Sequence, residues 1–339
     1  MKKVILFLLV CIVSTAFIST NDYLFTIPSN WPKPTFNFSD NTLTKEKIEL
    51  GRKLFYDPIL SRDNTISCNS CHSQYTSFAH VDHSLSHGID SRIGKRNAPT
   101  LVNLAWQNSF MWDGSIEHLD EQALGPITNP DEMDEKMSNV VQKLNESIAY
   151  KTWFYNAYKD SMATSERTLK SLSAFMLTFI SANSKYDSVM RKETVFTPQE
   201  TNGYHLFQKN CSSCHSEPLF TNNKYENNGL AADSSLNDYG RMKVTKNPED
   251  AMKFKVPSLR NIEFSFPYMH DGRFRKLSDV LKHYTSGIAK SNSLSKELQK
   301  PIELNSNEKV DLTSFLLTLT DKTFLFNPNF SAPKNIVSK

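Results

Sequence analysis

Two short patterns in this chain place two thiols and an imidazole at a fixed spacing. Six residues form the two copies of Cys-x-x-Cys-His: Cys68, Cys71 and His72, then Cys211, Cys214 and His215. Two thiols three positions apart can each form a thioether to one porphyrin edge, and the histidine after them can reach back over its face to the iron. The spacing therefore predicts two covalently attached c-type haems.

Other uses of the cysteines explain less of the pattern. The chain has five cysteines, and four remain if Cys11 is removed with a leader. Four cysteines in an exported protein would ordinarily predict two disulfides. A zinc ribbon also uses Cys-x-x-Cys twice, but it needs neither histidine. Haem attachment is the interpretation that uses all six residues.

Residues 1–20 are predicted to be a signal peptide. Two lysines precede an apolar run at residues 4–13, and small residues follow at 14–16, which is the order of a secretory leader. The apolar stretch is shorter than the roughly 20 residues of a membrane span. Cleavage is therefore favoured over a membrane anchor or lipidation at Cys11, and the mature protein is expected in the periplasm.

The composition predicts a globular protein of two domains. The 339 residues are 39% hydrophobic and 22% charged, which suffices for a substantial core. The net charge is +3, with no long run of lysine and arginine interleaved with aromatic residues. Nucleic acid is therefore not an expected partner.

The surroundings of the two patterns repeat and indicate an internal duplication. Residues 51–55 (Gly-Arg-Lys-Leu-Phe) precede the first pattern, and residues 203–207 (Gly-Tyr-His-Leu-Phe) precede the second. Each fits a short helix that leads into a haem site. We expect two cytochrome c-like haem domains, the first over residues 41–195 and the second over 196–339, after an extended N-terminal segment at 21–40.

Helix signals support this division of the chain. A helix is predicted from Arg167 to about Ser184, and a second begins with Thr197 as N-cap. A third opens at Asn305 and is expected to pack near the second haem. No segment alternates as a sizeable sheet would, so the fold is predicted to be mainly α with long irregular loops around the porphyrins.

Longer stretches carry a resemblance to a known family. They are residues 50–58, 96–100, 110–114, 122–127, 256–261 and 267–272, together with both haem patterns. On these residues the chain resembles the bacterial dihaem cytochrome c peroxidases, a family that includes the tryptophan-tryptophylquinone maturation enzymes of the MauG type. The resemblance implies that the N-terminal haem is the peroxide site and that electrons enter at the C-terminal haem. It also implies a homodimer.

The resemblance assigns roles to three further side chains. Trp112 matches the tryptophan that lies between the haems, and Gln122 and Glu132 match the polar residues over the peroxide-binding iron. Cleavage of the O–O bond needs a proton moved between the two oxygens, which a carboxylate can do. The alternatives are an ordinary buried aromatic for Trp112 and a helix N-terminal carboxylate for Glu132.

A calcium ion is also implied by the resemblance. Asn97, Ser265 and Pro267 match the family's calcium site, the latter two through backbone carbonyls. Calcium accepts carbonyl and water ligands, although the sequence alone identifies few protein oxygens here.

The first haem lacks a ligand that many family members have. The position of their distal histidine is matched by Ile89, while His80, His83 and His87 lie nearby in the sequence. Each of these is more simply a solvated loop residue. We therefore expect an open, five-coordinate first haem that peroxide can reach without prior reduction.

The second haem departs from most peroxidases of the family at its distal ligand. Tyr284 stands where they place methionine, as in the MauG type, and Met269 is a competing ligand. Tyrosinate would lower the reduction potential, whereas methionine would raise it.

The function expected from the sequence is reduction of hydrogen peroxide by a periplasmic dihaem cytochrome c peroxidase. Its donor would be a small reduced cytochrome c or a copper protein, docked transiently. One alternative is a MauG-like oxidase acting on a protein side chain, which Tyr284 and Ile89 favour. The other is a non-enzymatic dihaem electron carrier with two six-coordinate irons.

Overall fold

The computed structural model describes residues 24–334. The predicted signal peptide lies outside these residues. The described part is mainly helical, and its one sheet consists of two strands of two residues each. This confirms the mainly α prediction.

The elements are short and separated by long irregular segments. Eight helices precede residue 196: α1 (Lys45–Tyr56), α2 (Cys68–Cys71), α3 (Leu119–Gln122), α4 (Leu124–Thr128), α5 (Met137–Glu146), α6 (Ile148–Tyr158), α7 (Ser165–Met176) and α8 (Lys185–Met190). Five follow: α9 (Pro198–Asn210), α10 (Met242–Thr245), α11 (Leu277–Lys282), α12 (Ser306–Leu317) and α13 (Lys322–Leu325). A π-helical turn, His283–Gly287, continues α11. Strands β1 (Tyr225–Glu226) and β2 (Phe254–Lys255) pair antiparallel. Single 3₁₀ turns lie at Pro58–Leu60, Gln74–Thr76, Ile89–Ser91, Leu104–Trp106, Pro248–Asp250, Lys296–Leu298 and Pro328–Phe330.

Two helix pairs repeat the same close packing. A Cβ atom at Gly51 of α1 would lie 1.8 Å from the carbonyl oxygen of Ser171 in α7. A Cβ atom at Gly203 of α9 would lie 2.0 Å from the carbonyl oxygen of Asp311 in α12. Only glycine allows backbones to approach this closely. The two glycines therefore fix how the helix before each haem pattern meets its partner.

Phenylalanines continue the repeat one turn further along each pair. The ring centroids of Phe55 and Phe175 are 5.6 Å apart, and those of Phe207 and Phe315 are 5.1 Å apart. All four rings are buried. The helices predicted over 51–55 and 203–207 are thus confirmed, and each is held by the same glycine and phenylalanine contacts.

The N-caps that the sequence predicts are present. Thr197 accepts a hydrogen bond from the backbone N–H of Glu200, and Asn305 accepts one from Glu308, each within a capping box. The helix that begins after Asn305 brings Leu312 to the wall of the second haem cavity described below.

The prediction that a helix continues to about Ser184 is wrong, because α7 ends at Met176. Beyond it, the Ser181 backbone N–H donates to Asn103 Oδ1 and the Asn103 side chain donates to the Ser181 carbonyl. These long-range hydrogen bonds replace the helical ones. The apolar positions of the prediction, including Phe179, are nevertheless buried.

The buried apolar side chains form two clusters. The first surrounds α1 and α7, and also takes Phe324 and Phe330 from near the C-terminus. The second surrounds α9 and α12, and also takes Tyr186 from α8. The domain boundary between residues 195 and 196 stays a prediction. None of the helices between residues 24 and 334 has the length and apolar composition that a membrane crossing requires.

Candidate haem sites

The first haem pattern is presented by the short helix α2. Its capping box is closed by the Ser67 N–H, which donates to Ser70 Oγ at 3.1 Å. Burial raises the pKa of Cys68 to about 12 and that of Cys71 to about 11, so both thiols stay protonated. Neither is in a disulfide.

The histidine of the first pattern is oriented by a backbone carbonyl. His72 Nδ1 lies 2.6 Å from the carbonyl oxygen of Phe78. Nδ1 is therefore the hydrogen-bond donor, and Nε2 keeps a lone pair for a metal. Burial lowers the pKa of His72 to about 4. A neutral imidazole with one nitrogen fixed by a carbonyl is the form that binds a metal.

The second pattern repeats this arrangement. His215 Nδ1 lies 3.1 Å from each of two carbonyl oxygens, those of Phe220 and Pro257. Burial lowers the pKa of His215 to about 4. Cys211 follows α9 directly, and burial raises its pKa to about 12. Both patterns therefore end in a half-buried, neutral histidine suited to ligating iron.

Each pattern opens onto a cavity of its own. The first cavity has a volume of about 340 Å³ and contains Cys71 and His72 in its wall. The second has a volume of about 220 Å³ and contains Cys211, Cys214 and His215. Histidine and thiol groups on the wall of an apolar cavity are what a covalently held porphyrin needs, so the residues fit the group that the sequence predicts.

Polar groups expected over the peroxide-binding iron line the first cavity. Gln122 and Glu132 are both in its wall and both absent from the wall of the second. Burial raises the pKa of Glu132, while a hydrogen bond from Asn129 Nδ2 to its Oε1, at 2.9 Å, opposes the shift. Glu132 is not in a helix, so the alternative of a helix N-terminal carboxylate does not apply. The Gln122 amide points to Met111 Sδ at 3.8 Å.

The nearby histidines do not reach the first cavity. His72 is the one histidine among the described residues of its wall, and His80, His83 and His87 instead contact one another. Ile89 is fully buried, and its N–H donates to the Glu132 carbonyl.

Trp112 lies in the wall between the cavities. It lines both of them, as do residues 97–100 and 255–258. Its indole Nε1 donates to the Asn97 carbonyl at 2.8 Å, and its own carbonyl accepts the N–H of Lys255 at 2.7 Å. The partition between the cavities is thus built from two backbone segments and one indole ring.

Both distal ligands proposed for the second haem lie in the second cavity. Tyr284 is in the π-helical turn, and burial raises its pKa to about 12. Met269 has a backbone φ of 76°, and its Sδ accepts a hydrogen bond from Asn228 Nδ2 at 3.3 Å. The choice between the two ligands stays a prediction.

The three residues expected to bind calcium also meet at the second cavity. Asn97, Ser265 and Pro267 line it together. Asn97 Nδ2 donates to the Ser84 carbonyl at 3.0 Å, so the predicted calcium ligand from this side chain would be its Oδ1. Within residues 24–334, no cluster of three histidine, cysteine or acidic side chains has metal-binding geometry. The calcium site stays a prediction.

Sequence reasoning missed two residues of the first cavity. Met111 lies beside Gln122, and Lys255 lies beside Trp112. The signal for Lys255 is a lysine within the apolar run Phe254-Lys255-Val256-Pro257, where a buried cation calls for an explanation.

Together these features define a mainly helical protein with two haem sites that share one wall. A family model described as di-haem cytochrome c peroxidase matches residues 45–195. The methylamine utilization protein MauG of Methylorubrum extorquens is 36% identical over 86% of this chain and 82% of its own length. A cytochrome c551 peroxidase of Nitrosomonas europaea is 34% identical over 85% of this chain and 83% of its own length. A crystal structure of a MauG-like protein associated with microbial copper homeostasis superposes with a TM-score of 0.81 at 30% identity, over 92% of this chain and 99% of that one. The chain belongs to the di-haem cytochrome c peroxidase family, and this membership implies two haems.

Proposed function

We propose that the protein is a dihaem cytochrome c peroxidase that reduces hydrogen peroxide to water with electrons from a small periplasmic redox protein. The observation that carries this proposal is an asymmetry between the cavities. Gln122 and Glu132 line only the first, whereas Trp112 lines both. One cavity thus has groups for proton transfer, and a redox-active side chain leads from it to the other.

Both haems would be covalent, through Cys68 and Cys71 and through Cys211 and Cys214. Bound haem iron would supply the centre at which peroxide is reduced. The reaction consumes one peroxide, two electrons and two protons and yields two waters, so the chain must deliver both protons and electrons to the first cavity.

Glu132 is the group proposed to move a proton there. Asn129 holds its Oε1 through a hydrogen bond, which leaves Oε2 to accept a proton from peroxide and return it to the outer oxygen. Gln122 would orient peroxide by hydrogen bonding through its amide. The absence of a second histidine from the described wall of the first cavity supports an open site that needs no prior reduction.

Electrons are proposed to enter at the second haem and pass Trp112. A small reduced cytochrome c or a copper protein is the donor class. Export by residues 1–20 would place the enzyme in the periplasm with such donors. Calcium at Asn97, Ser265 and Pro267 would brace the shared wall, because Asn97 also accepts the Trp112 hydrogen bond.

Peroxide turnover on the purified dihaem protein tests the proposal. Turnover is measured with a reduced c-type cytochrome, on protein as isolated and after one-electron reduction. Rapid turnover in both states is expected. Turnover only after reduction would contradict the open first site, and no turnover in either state would contradict the peroxidase.

A second candidate function is a MauG-like oxidase that acts on a protein side chain. Tyr284 favours it, because tyrosinate ligation would lower the potential of the second haem. Peroxide would then be consumed slowly without a small donor, and a protein substrate would be oxidised instead.

A further inference from the structure

Lys255 carries a half-buried cationic group that the proposed reaction does not use. Its Nζ donates to Gln107 Oε1 at 2.6 Å and to the Ser109 carbonyl at 2.8 Å, and lies 5.7 Å from the centroid of the Phe110 ring. Across residues 24–334, no carboxylate lies within ion-pair distance of this nitrogen. The ammonium thus has two neutral partners and no anion.

An ammonium in this position needs a third partner. It has three N–H donors, and two are used. Lys255 is half-buried and lines both cavities, so that haem in them would cover it further. Burial lowers its pKa to about 7. A cation withdrawn from water is stabilised by an anion at hydrogen-bond distance.

The other cations of the first cavity already have partners or face solvent. Arg96 is paired with Asp113 and Asp238, and Lys243 is paired with Asp238. Lys95 is exposed. Every haem brings two propionate anions, and among the cations that line the first cavity Lys255 is the half-buried one whose charge is not matched.

We propose that Lys255 binds a propionate of the first haem, and so positions that haem against Trp112 and raises its reduction potential. The first haem is chosen because Gln107 and Phe110, which contact Nζ, line the first cavity and not the second. The Lys255 backbone N–H also donates to the Trp112 backbone carbonyl. A backbone hydrogen bond therefore joins the residue that carries the cation to the residue that carries the indole. This inference rests on the haem assignment made above but not on peroxide turnover.

The direction of the change in the reduction potential of the first haem follows from the charge of Lys255. A cation at the haem edge favours the ferrous state, which carries one positive charge fewer, so removing it lowers the potential. A unit charge in a protein interior changes such an equilibrium roughly tenfold. For a one-electron couple, tenfold corresponds to about 59 mV.

Spectroelectrochemical titration of both haems, without peroxide, tests the proposal. The variants are Lys255→Met, which removes the charge, and Lys255→Arg, which keeps it. Lys95→Met is the matched control, because Lys95 lines the same cavity but is exposed. Lys255→Met should shift the redox equilibrium of the first haem about tenfold toward the ferric state, a fall in potential of about 59 mV. Lys255→Arg and Lys95→Met should stay near the wild-type potential.

Three results would overturn the proposal. They are an unchanged potential of the first haem in Lys255→Met, a change in potential confined to the second haem, or an equal change in potential in Lys95→Met. If Lys255→Met does not fold, Lys255→Gln serves as the neutral variant. The propionate bending band in resonance Raman spectra gives a second readout, which should move in the neutral variants and not in the control. Because no step uses peroxide, a protein inactive as a peroxidase still tests the propionate contact.

Discussion

The indole Nε1 of Trp112 donates a hydrogen bond of 2.8 Å to the backbone carbonyl of Asn97, in the wall between the two haem cavities. Both residues line both cavities. Because the acceptor is a backbone atom, the indole is held in place by the chain itself and not by a mobile side chain. This bond is the structural basis for the proposed electron path.

Replacing Trp112 by phenylalanine should slow electron delivery to the first haem. Phenylalanine keeps an aromatic ring but loses the N–H and is much harder to oxidise. Donor oxidation during turnover should slow, while cyanide binding at the first haem stays unchanged. Trp153→Phe is the control, since Trp153 lies outside both cavities. Equal turnover in Trp112→Phe and wild type would exclude the path.

Glu132→Gln should lower kcat for peroxide by about a hundredfold or more, because glutamine cannot carry the proton. The haem content and optical spectrum should stay those of the wild type. Glu121→Gln provides the comparison, because Glu121 is exposed and lies next to Gln122 without lining the cavity. A kcat within twofold of the control would remove Glu132 from the mechanism.

The pH dependence of turnover should report the same carboxyl group. Burial raises the pKa of Glu132 above the ordinary value of 4.5. Glu132 must be ionised to accept a proton, so kcat/KM should fall as the pH drops through this raised pKa. The fall should begin at a higher pH than an exposed glutamate would give, and Glu132→Gln should lack it. An acid limb that persists in the variant would assign the titration to another group.

Tyr284→Met should raise the midpoint potential of the second haem, because thioether ligation favours ferrous iron more than tyrosinate does. Spectroelectrochemistry measures the change, and Met269→Leu is the comparison within the same cavity. If Met269→Leu alters the potential and Tyr284→Phe does not, Met269 is the ligand.

Gly203→Ala should destabilise the protein by about 1–3 kcal/mol or more, because the added Cβ would meet the Asp311 carbonyl. Urea denaturation of the haem-loaded protein measures this. Gly125→Ala is the matched control: its Cβ would lie 3.8 Å from Met111 Cε, an ordinary van der Waals contact, and alanine favours the helix. Equal stability of the two variants would disprove the close helix contact.

The sequence predicts those features that depend on residues close together in the chain. The haem patterns are spacings of a few residues, and the caps at Thr197 and Asn305 are each closed within one turn. Local patterns do not predict the end of α7, because it depends on hydrogen bonds between Asn103 and Ser181, which are 78 positions apart.

Beyond the two haem patterns, the site was predictable only where the family resemblance named its residues. Trp112, Gln122 and Glu132 come together at one cavity, as that resemblance implies. Lys255 could not be found this way, because its significance lies in contacts with Gln107 and Ser109, 148 and 146 positions away. Burial and the lack of an anion become visible only in three dimensions.

The stoichiometry of a peroxide titration tests the central claim most directly. Protein and an excess of reduced small c-type cytochrome are mixed with limiting hydrogen peroxide, and donor oxidation is counted optically. Two donor molecules oxidised per peroxide, at a rate that Glu132→Gln and Trp112→Phe both lower, is the predicted result. Peroxide consumption without donor oxidation would contradict the peroxidase and favour the oxidase.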